Sequence, residues 1–534
     1  AEAHNCSLQH YRFTSSDRTS WWPRGQLFSR CFAENIAGML DTKQSRLLIG
    51  LACTISGACG CSSSSPPLEA PADPLVEGPI TEPESPFVAG TSGIALGDVG
   101  FEQAEFFISG AASAYTNVGA LSSDGVWDVE GATTAEFKTR ALVYRPSDPE
   151  EFSGTVIVEW LNVSGGLDAA PDWISMHTEI FRKGHAWVGV SAQIDGIEGR
   201  GAGGVVPLYL KAARPERYAP LSHPGDSFSY DIFSQFAQAI RNPVEVAPLQ
   251  ELEPERVIAV GESQSAGRLI TWINAFGNRY AVFDGYIVHS RLGGSAPLSE
   301  EPQAQIDAPE VVHVRADLGQ PTLMFQTESD VLLLNALPSN QPDSSNFRLW
   351  EMAGTAHADV YTLLTGQSDL GDDPSVAEVV ETTDGAPLGL ITCERPINSG
   401  GAHWVLKAGL KGLIDWIRDG KALPEAPRLQ VNPEGTAFQL DEFGNALGGI
   451  RTNYVDVPVA TLSGLGQSGE SFCRIYGTTE LFDDAQLEEL YPSEQDYIDR
   501  VTNSVNAAVS AGFILRVDGD LIVENARTSA IGGP

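Results

Sequence analysis

The sequence predicts an α/β protein with a mostly parallel, doubly wound sheet, inserted cap segments and a C-terminal helical appendage. Six short segments between residues 154 and 354 are almost continuously apolar, as strands covered on both faces must be. Segments with helical periodicity lie between these strands, which is the doubly wound arrangement. With 42% hydrophobic and 19% charged residues in 534, the composition is that of a globular chain.

The predicted strands, in chain order, are GTVIVEWLNVSGG, HAWVGVSAQ, RVIAVGES, VFDGYIVHS, PTLMFQTESD and NFRLWEMAG. The predicted helices between them are WISMHTEIFRKG, SYDIFSQFAQAIRN and SAGRLITWINAFG. Later, HWVLKAGLKGLIDWIRDG is amphipathic and ends at glycine, and SEQDYIDRVTNSVNAAVSAGFIL has helical periodicity. We therefore expect a leader and linker outside the fold over residues 1–78, a main α/β domain over 79–420, and a C-terminal extension over 421–534 that packs on it.

The leader contains a signal-like segment that starts at Met39. Two basic residues precede an apolar run that ends in small residues, and a Pro- and acid-rich linker follows. The segment GACGCSSSS resembles a bacterial lipoprotein processing site with lipid attachment at Cys61, and a plain signal peptide cleaved near Ala58 is the alternative. The sequence thus predicts a bacterial protein that is secreted, or held in the periplasm or at the outer membrane by a lipid anchor.

Charge and cysteine content restrict the partners and cofactors. The chain has 33 basic and 70 acidic residues, a formal net charge of -37 that repels nucleic acid and anionic membranes. We expect a small-molecule partner and no nucleic acid, and the composition leaves the oligomeric state open. The sequence contains no CxxC motif and no Cys/His cluster typical of zinc, so we expect no metal.

Two cysteines remain beyond the leader, Cys393 and Cys473. In an oxidising compartment they are a natural pair, and two separately buried thiols are the alternative. A disulfide closing this loop of 80 residues would stabilise the fold by about 4 kcal/mol in the chain-entropy model.

The stretch VIAVGESQSAGRL runs from a predicted strand through a turn into a helix. Small residues two before and two after a central serine permit the tight turn that exposes a nucleophile. Gly261 and Ser265 hold these positions around Ser263, so the motif is G-x-S-x-S instead of the usual G-x-S-x-G. We predict Ser263 as a nucleophile and the N–H of Gln264, at the helix start, as an oxyanion donor. A purely structural strand-turn-helix is the alternative.

A serine nucleophile needs a base and an acid that orients the base, which in this arrangement follow in the order Ser, acid, His. Asp330, after the strand MFQTE, is the predicted acid and Glu328 the alternative. His357, in the loop after the next strand, is the predicted base, and His403 is the alternative.

The Gly-rich loop in VEWLNVSGGLDAAPDW follows an early strand, where a second oxyanion donor is expected. We assign it to a backbone N–H at Asn162 or Val163, with a turn of no catalytic role as the alternative. Trp160, Trp173 and Trp404 near these loops suggest an apolar or aromatic pocket wall.

These motifs together resemble the α/β-hydrolase superfamily and, within it, the bacterial "alpha/beta hydrolase domain" family. The resemblance rests on VEWLNVSGGLDAAPDW, LSHPGDSFSYDIFSQ, GESQSAGRL, WEMAGTAHAD and CRIYGTT, and runs from about Gly78 to Ala526. It implies an α/β-hydrolase fold and a Ser-His-acid hydrolase of esterase type, without metal or organic cofactor.

The expected function is an exported carboxylic ester hydrolase that forms an acyl-enzyme on Ser263. A non-catalytic surface lipoprotein that binds a ligand on a hydrolase scaffold is the alternative. The two differ in geometry, because catalysis needs Ser263 and His357 within hydrogen-bond distance. The acyl and alcohol groups of the ester are not determined by these motifs.

Overall fold

The structure is a computed structural model that describes residues 69–91, 93–199, 207–385, 391–469 and 471–533. Its main element is a nine-stranded sheet in the order β1-β2-β3-β5-β4-β6-β7-β8-β9. The strands are β1 (Leu75–Glu77), β2 (Phe101–Asn117), β3 (Val129–Pro146), β4 (Thr155–Trp160), β5 (Ala186–Val190), β6 (Arg256–Glu262), β7 (Gly285–His289), β8 (Thr322–Gln326) and β9 (Phe347–Glu351).

The six predicted strands are β4 to β9, and they form the parallel part of the sheet. Every residue of β4, β5, β7, β8 and β9 is buried, which explains their continuous apolarity. Because the strands are parallel, the loops that follow β6, β8 and β9 meet at one edge of the sheet. This edge is where ligands bind in open α/β sheets.

The other three strands are antiparallel and were not predicted. The hairpin of β2 and β3 has strands of 17 and 18 residues. Strand β1 lies in the segment that we assigned to the linker, so the boundary at residue 78 is wrong. The reason is local: Val76 is buried and pairs with Ile108 of β2, and the prolines nearby are tolerated because β1 is an edge strand.

Helices cover both faces of the sheet, which confirms the doubly wound α/β architecture. The helices are α1 (Pro171–Lys183), α2 (Ile194–Glu198), α3 (Leu210–Ala213), α4 (Pro215–Tyr218), α5 (Ser229–Arg241), α6 (Gln264–Phe276), α7 (Ala402–Asp419), α8 (Asn453–Asp456), α9 (Asp484–Leu490), α10 (Glu494–Ala511) and α11 (Arg516–Thr528). One hydrophobic core lies between the sheet and helices α5 and α6, and a second lies between the sheet and helices α1 and α7.

The C-terminal residues carry their own small sheet and helices. Strands β10 (Ala460–Ser463) and β11 (Thr478–Leu481) are antiparallel, and helices α10 and α11 share a third core with Tyr454 and Leu462. The long helical pattern that we predicted as one segment is interrupted at Gly512, whose φ of 87° ends α10. All described residues belong to one compact unit.

A disulfide joins Cys393 to Cys473, with 5.5 Å between their Cα atoms. Cys61 and the signal-like segment lie outside the described residues. Within the described ranges, no helix combines the length and apolarity that crossing a membrane requires.

Candidate active site

Ser263 lies in the sharp turn between β6 and α6. Its backbone has φ 58° and ψ −115°, a conformation that costs a non-glycine residue on the order of 1–3 kcal/mol. Gly261 permits the turn, because a Cβ atom there would lie 3.0 Å from the carbonyl oxygen of Ser265. The turn therefore holds Ser263 at the edge of the sheet in a strained backbone conformation, as a nucleophile elbow does.

Ser265 explains the departure from the usual motif. Its hydroxyl donates to the carbonyl oxygen of Glu262 at 2.8 Å and accepts from the N–H of Glu262 at 3.1 Å. The side chain is fully buried and turned back into the elbow. The second serine of the motif thus holds the turn closed.

His357 joins Ser263 to Asp330. Its Nε2 atom lies 2.8 Å from Oγ of Ser263, and its Nδ1 atom lies 2.6 Å from Oδ1 of Asp330. The other oxygen of Asp330 accepts from the backbone N–H and the hydroxyl of Thr327, at 2.6 and 2.7 Å. In neutral His357, Nδ1–H then donates a hydrogen bond to Asp330, and Nε2 accepts a hydrogen bond from the hydroxyl of Ser263.

Glu328, the alternative acid, does not contact His357. Its carboxylate accepts from the backbone N–H groups of Gly354 and Gly464, at 2.6 and 2.9 Å. It therefore links the loop after β9 to the end of β10. Burial raises the pKa of Glu328 to about 7.

His403, the alternative base, makes no hydrogen bond with Ser263. Its ring stacks on Tyr361 with 3.5 Å between ring centroids, and neither ring nitrogen has a hydrogen-bond partner among the described residues. Burial, aided by the charge of Lys407, lowers the pKa of His403 well below its usual range. A neutral packing histidine fits these contacts.

The structure distinguishes between the two candidate oxyanion donors of the Gly-rich loop, Asn162 and Val163. The N–H of Asn162 donates to the carbonyl oxygen of Ala169 at 2.9 Å, so this group is not free and our assignment to Asn162 is wrong. The N–H of Val163 has only a 3.5 Å contact with Oε1 of Gln264. Gln264 is the first residue of α6, where backbone N–H groups lack an intrahelical acceptor. Gln264 and Val163 are therefore the donors that fit.

Glu262 is a site residue that the sequence analysis missed. Its Oε1 atom lies 3.2 Å from Nε2 of His357, and its Oε2 atom accepts from the side-chain amide of Asn162 at 3.1 Å. Burial raises the pKa of Glu262 to about 7. The signal available was an acidic residue beside the candidate nucleophile at the end of a buried strand.

The protonation of His357 follows from its two carboxylate neighbours. Burial alone would lower the pKa of His357, but the charges of Glu262 and Asp330 outweigh burial and raise this pKa to about 9. The imidazolium form is thus stabilised from both sides of the ring.

Two cavities open on Ser263 and His357. The first, which we call the Leu167 cavity, has a volume of about 330 Å³ and a mainly apolar wall that includes Leu167, Ile174, Leu363, Ile391 and Phe472. The second, the Arg474 cavity, has a volume of about 430 Å³ and is lined by Leu292, Leu333, Leu334, Phe472, Arg474 and Ile475, together with Ser164 and Gln264.

The predicted tryptophan wall is wrong. Trp160, Trp173 and Trp404 are at most 1% exposed and lie in the hydrophobic cores. Phe472, from the C-terminal extension, lines both cavities instead, and Tyr476 also lines the Leu167 cavity. As for metal ions, the part of the chain that the structure describes contains no group of His, Cys, Asp or Glu residues that could hold one.

A protein family described as "Alpha/beta hydrolase domain" matches residues 76–524, which is most of the chain. The chain belongs to this family. Its parallel sheet, two helical layers and strand-to-helix turn at Ser263 agree with that assignment. Membership supports hydrolase activity. A search of the curated proteins found no match to the chain.

Three solved structures that resemble the chain, each at 12% identity, carry the names of hydrolases or esterases. A candidate dienelactone hydrolase from Klebsiella pneumoniae has a TM-score of 0.24, with 46% of this chain and 85% of that chain covered. A candidate hydrolase from Agrobacterium vitis has 0.22, with 45% and 90% covered. A fungal esterase from Rhizomucor miehei has 0.25, with 47% and 78% covered. TM-scores this low carry no argument about substrate or mechanism.

Proposed function

We propose that the protein is an exported serine hydrolase that cleaves carboxylic esters through an acyl-enzyme on Ser263. The observation that carries this proposal is the continuous pair of hydrogen bonds from Ser263 through His357 to Asp330. Along the chain the nucleophile comes first, the orienting acid second and the base third, which is the order that this fold uses.

In the acylation step, Nε2 of His357 accepts the proton of Ser263 as Oγ attacks the ester carbonyl carbon. The carboxylate of Asp330 holds Nδ1–H and stabilises the imidazolium that forms. The N–H groups of Gln264 and Val163 donate to the oxyanion of the tetrahedral intermediate. Collapse of this intermediate breaks the ester C–O bond, and the imidazolium returns its proton to the leaving alkoxide.

Deacylation repeats these steps with water as the nucleophile. His357 takes a proton from the water, hydroxide adds to the acyl carbon, and Ser263 leaves with the proton returned. The acid product then departs and the free enzyme is restored.

The two cavities support an ester substrate. Each opens on Ser263, so the parts on either side of the ester bond can occupy one cavity each. Their largely apolar lining favours carbon-rich groups on both sides of the ester bond.

The alternative, a binding protein on a hydrolase scaffold, has less support. It predicts a misaligned site, whereas Oγ of Ser263 lies 2.8 Å from Nε2 of His357. The strained backbone at Ser263 is also a cost that a binding protein has no reason to retain.

Labelling by a fluorophosphonate and hydrolysis of 4-nitrophenyl butyrate test the proposal. We expect the wild type and Ser265→Gly to be labelled on Ser263, as found by peptide mass spectrometry, and to turn over the ester. We expect Ser263→Ala to do neither at an unchanged melting temperature. A folded wild-type protein that neither reacts nor turns over esters would refute the proposal.

Export and lipid attachment at Cys61 are a separate part of the proposal, supported by the signal-like segment alone. Expression of the full chain in a bacterial host with radiolabelled palmitate tests it. We expect label on the wild type and none on Cys61→Ala. Unlabelled wild type in the culture medium would favour free secretion.

A further inference from the structure

Arg474 differs from the other arginines of the molecule. Every other arginine in the described ranges makes a hydrogen bond or an ion pair. Arg474 is exposed and makes neither with any described residue. In a chain with 70 acidic and 33 basic residues, an arginine without a carboxylate partner is unexpected.

Its position is the second observation. Arg474 lines the cavity that contains Ser263 and His357, and no carboxylate is among the described residues of that lining. The remaining wall is largely apolar, with Leu292, Leu333, Leu334, Phe472 and Ile475. With no carboxylate in this lining, the guanidinium is available to pair with an anionic group that enters the cavity.

The backbone around Arg474 is fixed. The preceding residue is bound to Cys393 by the disulfide. The N–H of Tyr476 donates to the carbonyl oxygen of Cys473 at 2.9 Å, and the carbonyl oxygen of Tyr476 accepts from the N–H of Asn398 at 3.0 Å. The guanidinium is therefore carried on an anchored segment at the mouth of the site.

We propose that Arg474 binds a carboxylate of the substrate, so that the enzyme prefers esters with one carboxylate on the side that occupies the Arg474 cavity. The opposite side of the ester is apolar and occupies the Leu167 cavity. The planar guanidinium matches a carboxylate with two parallel hydrogen bonds, and one cation balances one negative charge. This inference rests on the proposed function, because it names the substrate class of the same site.

Two matched ester pairs test it. In the first, 4-acetoxybenzoate is compared with methyl 4-acetoxybenzoate, which places the carboxylate on the leaving group. In the second, monobenzyl adipate is compared with benzyl methyl adipate, which places the carboxylate on the acyl group. We expect wild-type kcat/KM to favour the anionic member of one pair, and that pair identifies which side of the ester faces Arg474.

The variant Arg474→Gln should lower this anionic-to-neutral ratio by about 10- to 100-fold, the range of a charge-assisted pair. Arg474→Lys should retain an intermediate ratio, because it keeps the charge without the planar fork. The matched control is Arg516→Gln, which removes an equal charge from the exposed face of α11, outside both cavities. Its ratio should equal that of the wild type.

The outcomes separate the two proposals. A wild type that hydrolyses the neutral esters but prefers neither anionic member overturns the role of Arg474 and leaves the ester hydrolase intact. The same holds if Arg474→Gln keeps the wild-type ratio. A folded wild type that hydrolyses none of the four esters overturns both.

Discussion

The carboxylate of Glu262 lies 3.2 Å from Nε2 of His357, the same ring nitrogen that faces the hydroxyl of Ser263. His357 thus has a carboxylate near each ring nitrogen, since Asp330 contacts Nδ1. Asp330 holds the ring by the hydrogen bond at Nδ1, whereas the negative charge of Glu262 raises the pKa of His357. Glu262 is therefore an electrostatic neighbour of His357, the proposed base, and accepts a hydrogen bond from the side-chain amide of Asn162.

The pH dependence of kcat/KM tests the role of Glu262. His357 accepts a proton only when it is neutral, and its pKa is raised to about 9, so activity should rise with pH up to that value. Glu262→Gln removes one negative charge, lowers the pKa of His357, and should move the acid limb to lower pH by about one unit. Glu255→Gln, at an exposed position, is the control. An acid limb that stays in place would exclude Glu262 as its cause.

Asp330 and Glu328 should give opposite phenotypes. Asp330→Asn removes the acceptor of Nδ1–H and should lower kcat by a factor on the order of 10⁴, as loss of an orienting acid does. Glu328→Gln should leave kcat nearly unchanged but destabilise the fold by about 1–3 kcal/mol, because one buried N–H of Gly354 or Gly464 loses its acceptor. Steady-state kinetics and urea unfolding of both variants measure these effects. A catalytic defect confined to Glu328→Gln would assign the acid to that residue.

Ser265→Ala should weaken the elbow without removing the nucleophile. The hydroxyl of Ser265 is the acceptor for the buried N–H of Glu262, so its loss should cost about 1–3 kcal/mol of unfolding free energy. Labelling of Ser263 by a fluorophosphonate should persist. Equal stability of the variant and the wild type in urea would show that the bond contributes nothing.

Removal of the disulfide should affect both stability and substrate binding. Cys393→Ala/Cys473→Ala frees a loop of 80 residues, which should cost about 4 kcal/mol. The segment that carries Phe472 and Arg474 also loses its anchor, so KM should rise more than kcat falls. Calorimetry and ester kinetics, with non-reducing peptide mapping of the wild type, check this. A melting temperature equal to that of the wild type would contradict the prediction.

The parallel strands and the residues after them could be predicted from the sequence. Strands buried on both faces are continuously apolar, and Ser263, Asp330 and His357 each follow one of them. The hairpin of β2 and β3 was missed because only about half of its residues are buried, and the stretch Val129–Glu136 consists of polar and small residues of which none is buried. Such strands lack a clear hydrophobic period.

The remaining site residues depend on contacts between distant parts of the chain. Asn162 and Ala169 form an antiparallel β-bridge, in which the N–H of Asn162 donates to the carbonyl oxygen of Ala169. This bond depends on the conformation of the whole Gly-rich loop. Arg474 reaches the cavity only because the C-terminal extension folds back and is joined to Cys393. No local sequence pattern around residue 474 indicates that Arg474 lines the same cavity as Ser263.

The part of the cavity walls that comes from Phe472, Arg474, Ile475 and Tyr476 also bears on how such a protein can diversify. The residues of the proposed triad end at His357, whereas this part of the wall is encoded more than a hundred codons later. The proposed triad and this part of the cavity walls are therefore encoded in different stretches of the gene. Recombination that exchanges the C-terminal stretch between relatives would change one part of each cavity wall and leave Ser263, Asp330 and His357 in place.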